Sequence, residues 1–227
     1  MARNRTFKTY VGDFETTVFD GQEYTEVWAS ALVETYTEDV QIFHSIQEQW
    51  DYIVKLNQNM IIYYHNLSFD GSFWLSFFLD ELKFKHAFNH ADEEAQVYDW
   101  KREYEMRNKE IKYSISNMGQ WYVIQVKHKN KIIEFRGSLK LLPYSVERIG
   151  KTFGTRHTKS NIQYKGFRYA GCPITELEKD YIKNDVLVVK EALEIMFNEG
   201  HNKLTIGSCC LAELKSNLSD HTYNMAA

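Results

Sequence analysis

Val11-Gly12-Asp13-Phe14-Glu15-Thr16-Thr17 is the stretch on which the fold turns. In an extended strand successive side chains point to opposite faces, so Asp13 and Glu15 share one face and Phe14 takes the other. Two carboxylates held side by side repel each other. Such a pair persists where something positive lies between them, and hard divalent cations prefer oxygen ligands. A solvated strand edge would carry the same pair, so the reading depends on further carboxylates at matching positions.

Outward from that stretch, Phe7 to Thr16 reads as a buried strand and Glu26 to Glu34 as its neighbour, joined by a turn around Asp20-Gly21. Gln41 to His44 reads as a short third strand, and Ser45 to Asn57 as a helix with Ile46, Trp50, Ile53, Val54 and Leu56 along one side. The apolar run Met60 to Asn66 has the character of a central strand. It stops at His65-Asn66-Leu67-Ser68-Phe69-Asp70-Gly71, after which Ser72 to Leu82 is expected to be helical. Asp70 thus falls at a strand end, where α/β sheets collect ligand groups; a turn-forming aspartate is the plainer alternative.

Ala91 to Glu110 is dense in charge without a core stripe and reads as an exposed, helical insertion. His86 and His90 lack a third ligand and do not make a zinc site. Alternation from Ile111 to Phe135 indicates strands, with a tight hairpin turn at Lys129-Asn130. Val146 to Phe153 reads as a short basic helix, followed by a polar loop to Gly171. Thr175 and Glu178 have the spacing of a capping box, opening a helix that runs to about Phe197. Tyr181 and Asp185 lie four apart on it and so share a face.

Composition limits the alternatives. At 227 residues, with 44% hydrophobic and 15% aromatic residues, the chain has material for a real core. Two prolines and 11 glycines leave no long flexible linker. No apolar run approaches the roughly 18 residues of a membrane span, and the polar start does not resemble a signal peptide. Three cysteines without metal-type spacing point to a reducing cytoplasm. The net charge of −4 hides a division: Tyr122 to Arg168 holds eleven basic residues against two acidic ones, +9, while the remainder carries −13. Such a basic segment can follow a phosphate backbone, although a solvated hairpin has the same composition.

Asp13, Glu15, Asp70 and Asp185, with Tyr181 beside the last, make four carboxylates of the kind that two-metal phosphoryl chemistry requires. The wording of the motifs then becomes specific. Asp13-Phe14-Glu15-Thr16, His65-Asn66-Leu67-Ser68-Phe69-Asp70 and Tyr181-Ile182-Lys183-Asn184-Asp185 resemble, in order, the three motifs of the 3′–5′ proofreading exonuclease domain of family B DNA polymerases. The likeness is to the protein-primed bacteriophage subgroup and to the tyrosine subtype of the four-carboxylate exonucleases. Met118-Gly119-Gln120-Trp121-Tyr122, Ser138 to Pro143 and Leu204 to Ser208 extend it over roughly Tyr10 to Lys215.

The resemblance implies an α/β, ribonuclease H-like fold, with a mixed sheet between helices and an added β-hairpin. It implies two Mg²⁺ or Mn²⁺ ions on Asp13, Glu15, Asp70 and Asp185, and Tyr181 at the attacking water. Thr16, Tyr63, His65, Asn66, Leu67, Phe69, Ser138 and Leu139 are expected to hold the 3′ end of single-stranded DNA, and Lys151, aligned with a lysine of the subgroup, to contact the scissile phosphate. Two departures stand out: Gly137 replaces an acidic residue common in relatives, and the insertion at 91–110 is longer than the likeness predicts.

The expected organisation is an exonuclease domain over residues 1–215 and a tail over 216–227, without space for a polymerase palm, so a polymerase domain or chain is the expected partner, with no membrane. The expected location is the cytoplasm, that of a bacterial host if the gene belongs to a phage. Rival readings are a 3′–5′ exoribonuclease using the same ligands, and a non-catalytic DNA-binding or polymerase-partner module. A carboxylate-pair glycosidase explains neither the tyrosine nor the basic segment.

Overall fold

The computed structural model describes residues 5–19, 21–92, 94, 97–160, 162, 164 and 166–218. Asp20 of the expected turn, residues 93, 95 and 96 of the insertion, Lys165 of the basic segment and residues 219–227 of the tail lie outside the described residues. Strands β1 (Lys8–Thr16), β2 (Val27–Glu34) and β3 (Val40–Phe43) run back and forth, and α1 (Ile46–Leu56) returns the chain to β4 (Met60–Tyr64). Helix α2 (Leu67–Ser76) follows and widens into a π turn at Phe77–Glu81. Next come β5 (Lys85–His86), a separate ribbon of β6 (Phe88–Asp92) and β7 (Val97–Trp100), then β8 (Glu110–Ile115), β9 (Trp121–His128) and β10 (Lys131–Gly137). Helices α3 (Val146–Phe153), α4 (Glu176–Asn198) and α5 (Ile206–Asn217) complete the described chain.

Eight strands form one mixed sheet in the order β3-β2-β1-β4-β10-β9-β8-β5. β4 pairs in parallel with β1 and β10, and the hairpins outside this centre are antiparallel. The alternation of β1 sorts its side chains between two cores. Tyr10 and Phe14 enter an aromatic core with Trp50, Trp74, Phe78 and Phe135, while Val11 joins Ile182, Val186 and Leu193 of α4 on the opposite face. Asp13 and Glu15 share the parity of Val11 and therefore face the α4 side. Trp74 stacks on Phe78 at 5.4 Å and meets Phe135 at 4.7 Å. Truncating a wholly buried tryptophan of this kind costs about 3–5 kcal/mol.

Several elements follow the sequence closely. Ser45 caps α1 by accepting from the Glu48 amide at 3.2 Å, and Asn57 ends it with a left-handed φ of 47°. Lys129 and Asn130, with φ of 45° and 65°, form the hairpin turn between β9 and β10. The capping box of α4 closes through Glu178 N–H to Thr175 Oγ1 at 3.3 Å and Thr175 N–H to Glu178 Oε2 at 2.8 Å. Gly12 pairs with Tyr64 across β1 and β4, and a Cβ there would lie 2.7 Å from the tyrosine ring.

Three expectations need correction. The second helix begins at Leu67 rather than Ser72, because Asn66 O accepts the Phe69 and Asp70 amides and starts the first turn there. Asp70-Gly71 looks like a turn but is helical. Gly71 serves packing, since a Cβ there would press on Ile124, Leu67 and Trp121 at 3.0–3.2 Å. The insertion is a β-ribbon with a 3₁₀ turn at Glu103–Glu105, not a helix. Its order comes from aromatic contacts, Phe88 with Trp100 at 4.3 Å and with Tyr98 at 5.2 Å, which the density of charge concealed. Finally, α5 has no counterpart in the expected elements.

Candidate active site

The strand end of β1 and the middle of α4 bring three acids together. Asp13, Glu15 and Asp185 each offer a carboxylate oxygen within 4.8 Å of the others. Asp70, buried in the first turn of α2, is not one of that trio but is the largest single charge acting on Asp13. Burial drives the Asp13 pKa well above the usual carboxylate range, and the charges of Asp70, Glu15 and Asp185 push it further. Glu15 rises to about 7, again chiefly through burial, against the restraining Tyr164 hydroxyl. Asp70 also rises to about 7 through burial, although the amides of Asp70, Phe14 and Asn66 favour its ionised form. Four acids that resist ionisation together are a site short of positive charge.

Among the described residues, the ammonium beside them comes from Lys159, whose Nζ lies 2.6 Å from Asp185 Oδ2 and 5.5 Å from the centre of the Tyr181 ring. Burial raises the Asp185 pKa, and Lys159 only partly offsets it. The second oxygen, Asp185 Oδ1, is buried without a hydrogen-bond partner. Leaving a buried acceptor unsatisfied costs about 1–3 kcal/mol. An all-oxygen donor set with an orphaned buried carboxylate oxygen fits hard divalent cations. Tyr181 stands beside Asp185, and burial together with that carboxylate keeps its phenol protonated. Tyr164 meets the Tyr181 ring edge-on at 5.9 Å.

Two grooves meet at the N-terminal turn of α2. One, about 370 Å³, is lined by Glu15, Thr16, Phe69, Tyr164 and Phe167, with Phe69 45% and Phe167 64% exposed. The other, about 210 Å³, is lined by Asn66, Leu67, Met118, Leu139 and Lys140. Thr16, Asn66, Leu67, Phe69 and Leu139 thus lie along clefts. His65 and Ser138 instead bond to each other at 3.0 Å, and His65 Nε2 lies 2.7 Å from the Tyr144 carbonyl. That carbonyl requires Nε2 to carry the proton, so Nδ1 accepts from Ser138; burial lowers the imidazole pKa accordingly. Tyr63 is packed in the α4-side core beside Phe197, 5.8 Å between ring centres.

Lys151 is the clear displacement. It lies within the last turn of α3, not at a loop start, and binds Glu147 at 2.6 Å on an exposed face. Lys159, not Lys151, is the lysine that reaches Asp185. Sequence reasoning missed Lys159 and Tyr164; the available signal was a lysine five residues before the first tyrosine of a basic, polar loop. Part of the basic segment is also neutralised within the chain, through Arg136–Glu134, Arg156–Glu191 and Arg168–Glu178. Among its described members, Lys140 and Arg168 line the clefts and Lys159 reaches the acids.

A mixed sheet with helices on both faces and acids converging from its front strand and a crossing helix defines the ribonuclease H-like class. Within that class the chain belongs to the family described as DNA polymerase type B, organellar and viral, whose profile matches residues 53–225. It is 35% identical over 215 residues to the DNA polymerase of Bacillus phage phi29, covering 92% of this chain and 34% of that protein. The DNA polymerase of Streptococcus phage Cp-1 is 29% identical over 220 residues, 91% of this chain and 34% of the relative. The chain therefore spans about a third of the length of these curated relatives. The structure of phi29 DNA polymerase complexed with single-stranded DNA superposes with a TM-score of 0.77 at 30% identity, covering 95% of this chain and 36% of that one.

Proposed function

We propose that residues 1–215 form a 3′–5′ exodeoxyribonuclease that removes nucleotides from the 3′ end of single-stranded DNA, as in polymerase proofreading. One observation carries this reading: Asp13, Glu15 and Asp185 converge within 4.8 Å, with the charge of Asp70 acting on Asp13 and a buried Asp185 oxygen unpartnered. Asp13, Glu15, Asp70 and Asp185 would hold two divalent cations, Mg²⁺ or Mn²⁺. When bound, these supply the positive charge that eases loss of a proton from water and offsets charge gathering on phosphate.

The chain's own groups divide the remaining work. Hydrolysis forms a bond from a water oxygen to the terminal phosphorus and breaks the bond to the neighbouring 3′ oxygen. That oxygen takes up a proton, leaving a nucleoside 5′-monophosphate and a shortened strand. Tyr181, held as a neutral phenol, orients the water and does not deprotonate it. Lys159 remains an ammonium, since Asp185 more than offsets the effect of burial, and suits a scissile phosphate oxygen. Phe69 and Phe167 offer exposed rings along the groove that contains Glu15, and bases stack on such rings regardless of sequence.

The complex of phi29 DNA polymerase with single-stranded DNA supports the substrate, and the phage relatives support a polymerase partner and the cytoplasm of a bacterial host. Among the described residues no helix is long and apolar enough to cross a membrane. Incubating the purified chain with a 3′-labelled DNA strand, and with RNA of the same sequence, should release mononucleotides from DNA in Mn²⁺ or Mg²⁺ and none in chelator. Absence of metal-dependent release overturns the nuclease reading, and faster loss from RNA overturns the substrate.

A further inference from the structure

We infer that Glu191, which touches neither the acids nor the grooves, is a positioning residue that fixes the loop carrying Lys159; the inference rests on the nuclease reading of the site. Gly154 ends α3 in a left-handed conformation, and the chain then crosses α4. Glu191 Oε2 accepts the backbone N–H of Arg156 at 2.6 Å and of His157 at 3.4 Å. Its Oε1 lies 2.7 Å from His157 Nδ1 and 3.1 Å from the Arg156 guanidinium. Thr155 Oγ1 donates to the His157 carbonyl at 2.6 Å and tightens the same turn. Two residues further on, Lys159 reaches Asp185. The loop is thus fastened to α4 at two points six residues apart, roughly 9 Å along the helix axis.

The two fastenings differ in kind. At Glu191 the backbone itself is held, by a side chain 7% exposed whose bonds a substrate cannot compete for. At Asp185 only the tip of a four-carbon lysine stem is held, on a carboxylate for which cations compete, while a phosphate oxygen competes for the ammonium. When a strand enters, the ammonium is free to move from Asp185 Oδ2 to a phosphate oxygen while Glu191 keeps its backbone in place. Without that hold, the loop and its lysine would sample many positions, and a misplacement of about 1 Å can cost 10²-fold in rate.

A double-mutant cycle tests this. Glu191→Gln removes the charge and one strong acceptor while keeping shape. It should lower kcat about 5- to 20-fold with KM for the strand and Mg²⁺ affinity unchanged, and should speed hydrogen exchange at residues 155–160 but not around Asp185. In a Lys159→Ala background the same substitution should change kcat less than twofold, because the group it positions is gone. An equal loss in both backgrounds, or unaltered loop exchange in Glu191→Gln, overturns the inference. A wild-type chain that cleaves nothing would overturn the nuclease reading instead, and loop exchange would still decide whether Glu191 holds the segment.

Discussion

Helix α4 carries two clusters of potential ligands that look alike in outline and are opposite in chemistry. At Asp185 it meets Asp13 and Glu15; six residues later, at Glu191, it meets Glu38 and His157. In both places three ligand atoms lie within 4.8 Å of one another. At the second, Lys190, 1% exposed, binds Glu38 at 2.9 Å, and Arg156 binds Glu38 at 2.5 Å. The Lys190 hydrogen bond, foremost, holds the Glu38 pKa below its usual value. Burial pushes Glu191 up, but its His157 and Arg156 donors outweigh it and the net shift is downward. At the first cluster every acid is shifted upward and, among the described residues, one ammonium serves four carboxylates. Proximity of acids does not define a cation site; the deficit of compensating charge does.

The comparison breaks most decisively by removing the deficit. Asp13→Ala with Glu15→Ala should lower cleavage by about 10³-fold or more, measured by product release from a labelled strand. DNA binding and folding should persist, and the metal-free variant should melt above the metal-free wild type because like charges are gone. Lys159→Ala takes away the ammonium paired with Asp185 and should slow cleavage about 10²–10³-fold, the range for one donor to a developing oxyanion. Tyr181→Phe, which leaves the charge count unchanged, should cost less, about tenfold in kcat.

A pH series sharpens the contrast without mutation. In chelator the folded chain keeps protons on Glu15 and Asp70 up to about pH 7, whereas the unfolded chain releases them at ordinary carboxylate values. The folded state binds more protons in that window, so stability should fall as pH rises from about 4 to 7. Calorimetric melting at pH 5 and 8 should show the drop, and saturating Mg²⁺ should abolish it. The smallest effect belongs to the compensated cluster: Glu38→Gln should leave Mg²⁺ affinity by titration calorimetry unchanged.

Much of this is legible in the sequence. The alternation of β1 places Asp13 and Glu15 together, and Thr175 with Glu178 marks the start of α4, which fixes the turn on which Tyr181 and Asp185 lie. These are local rules acting over a few residues. What escaped depends on partners distant in the chain. Lys151 and Lys159 are equally basic on paper, and only the folded loop shows which meets Asp185 and which meets Glu147. Asp70-Gly71 reads as a turn until Ile124 and Trp121 are seen pressing on the glycine. The ribbon of β6 and β7 depends on cross-strand aromatic pairing, which a helical periodicity does not test.

The contact between Gly12 and Tyr64 has a consequence for evolution of the site. The tyrosine ring occupies the volume that any side chain at position 12 would claim, and its hydroxyl is tied to Gln49 at 3.0 Å beneath α1. A single methyl group there would force the Tyr64 ring or the β1–β4 pairing to shift, one residue before Asp13. Crowding alone therefore constrains this position, and a residue that bears no ligand, charge or hydroxyl helps set how the first acid is aimed.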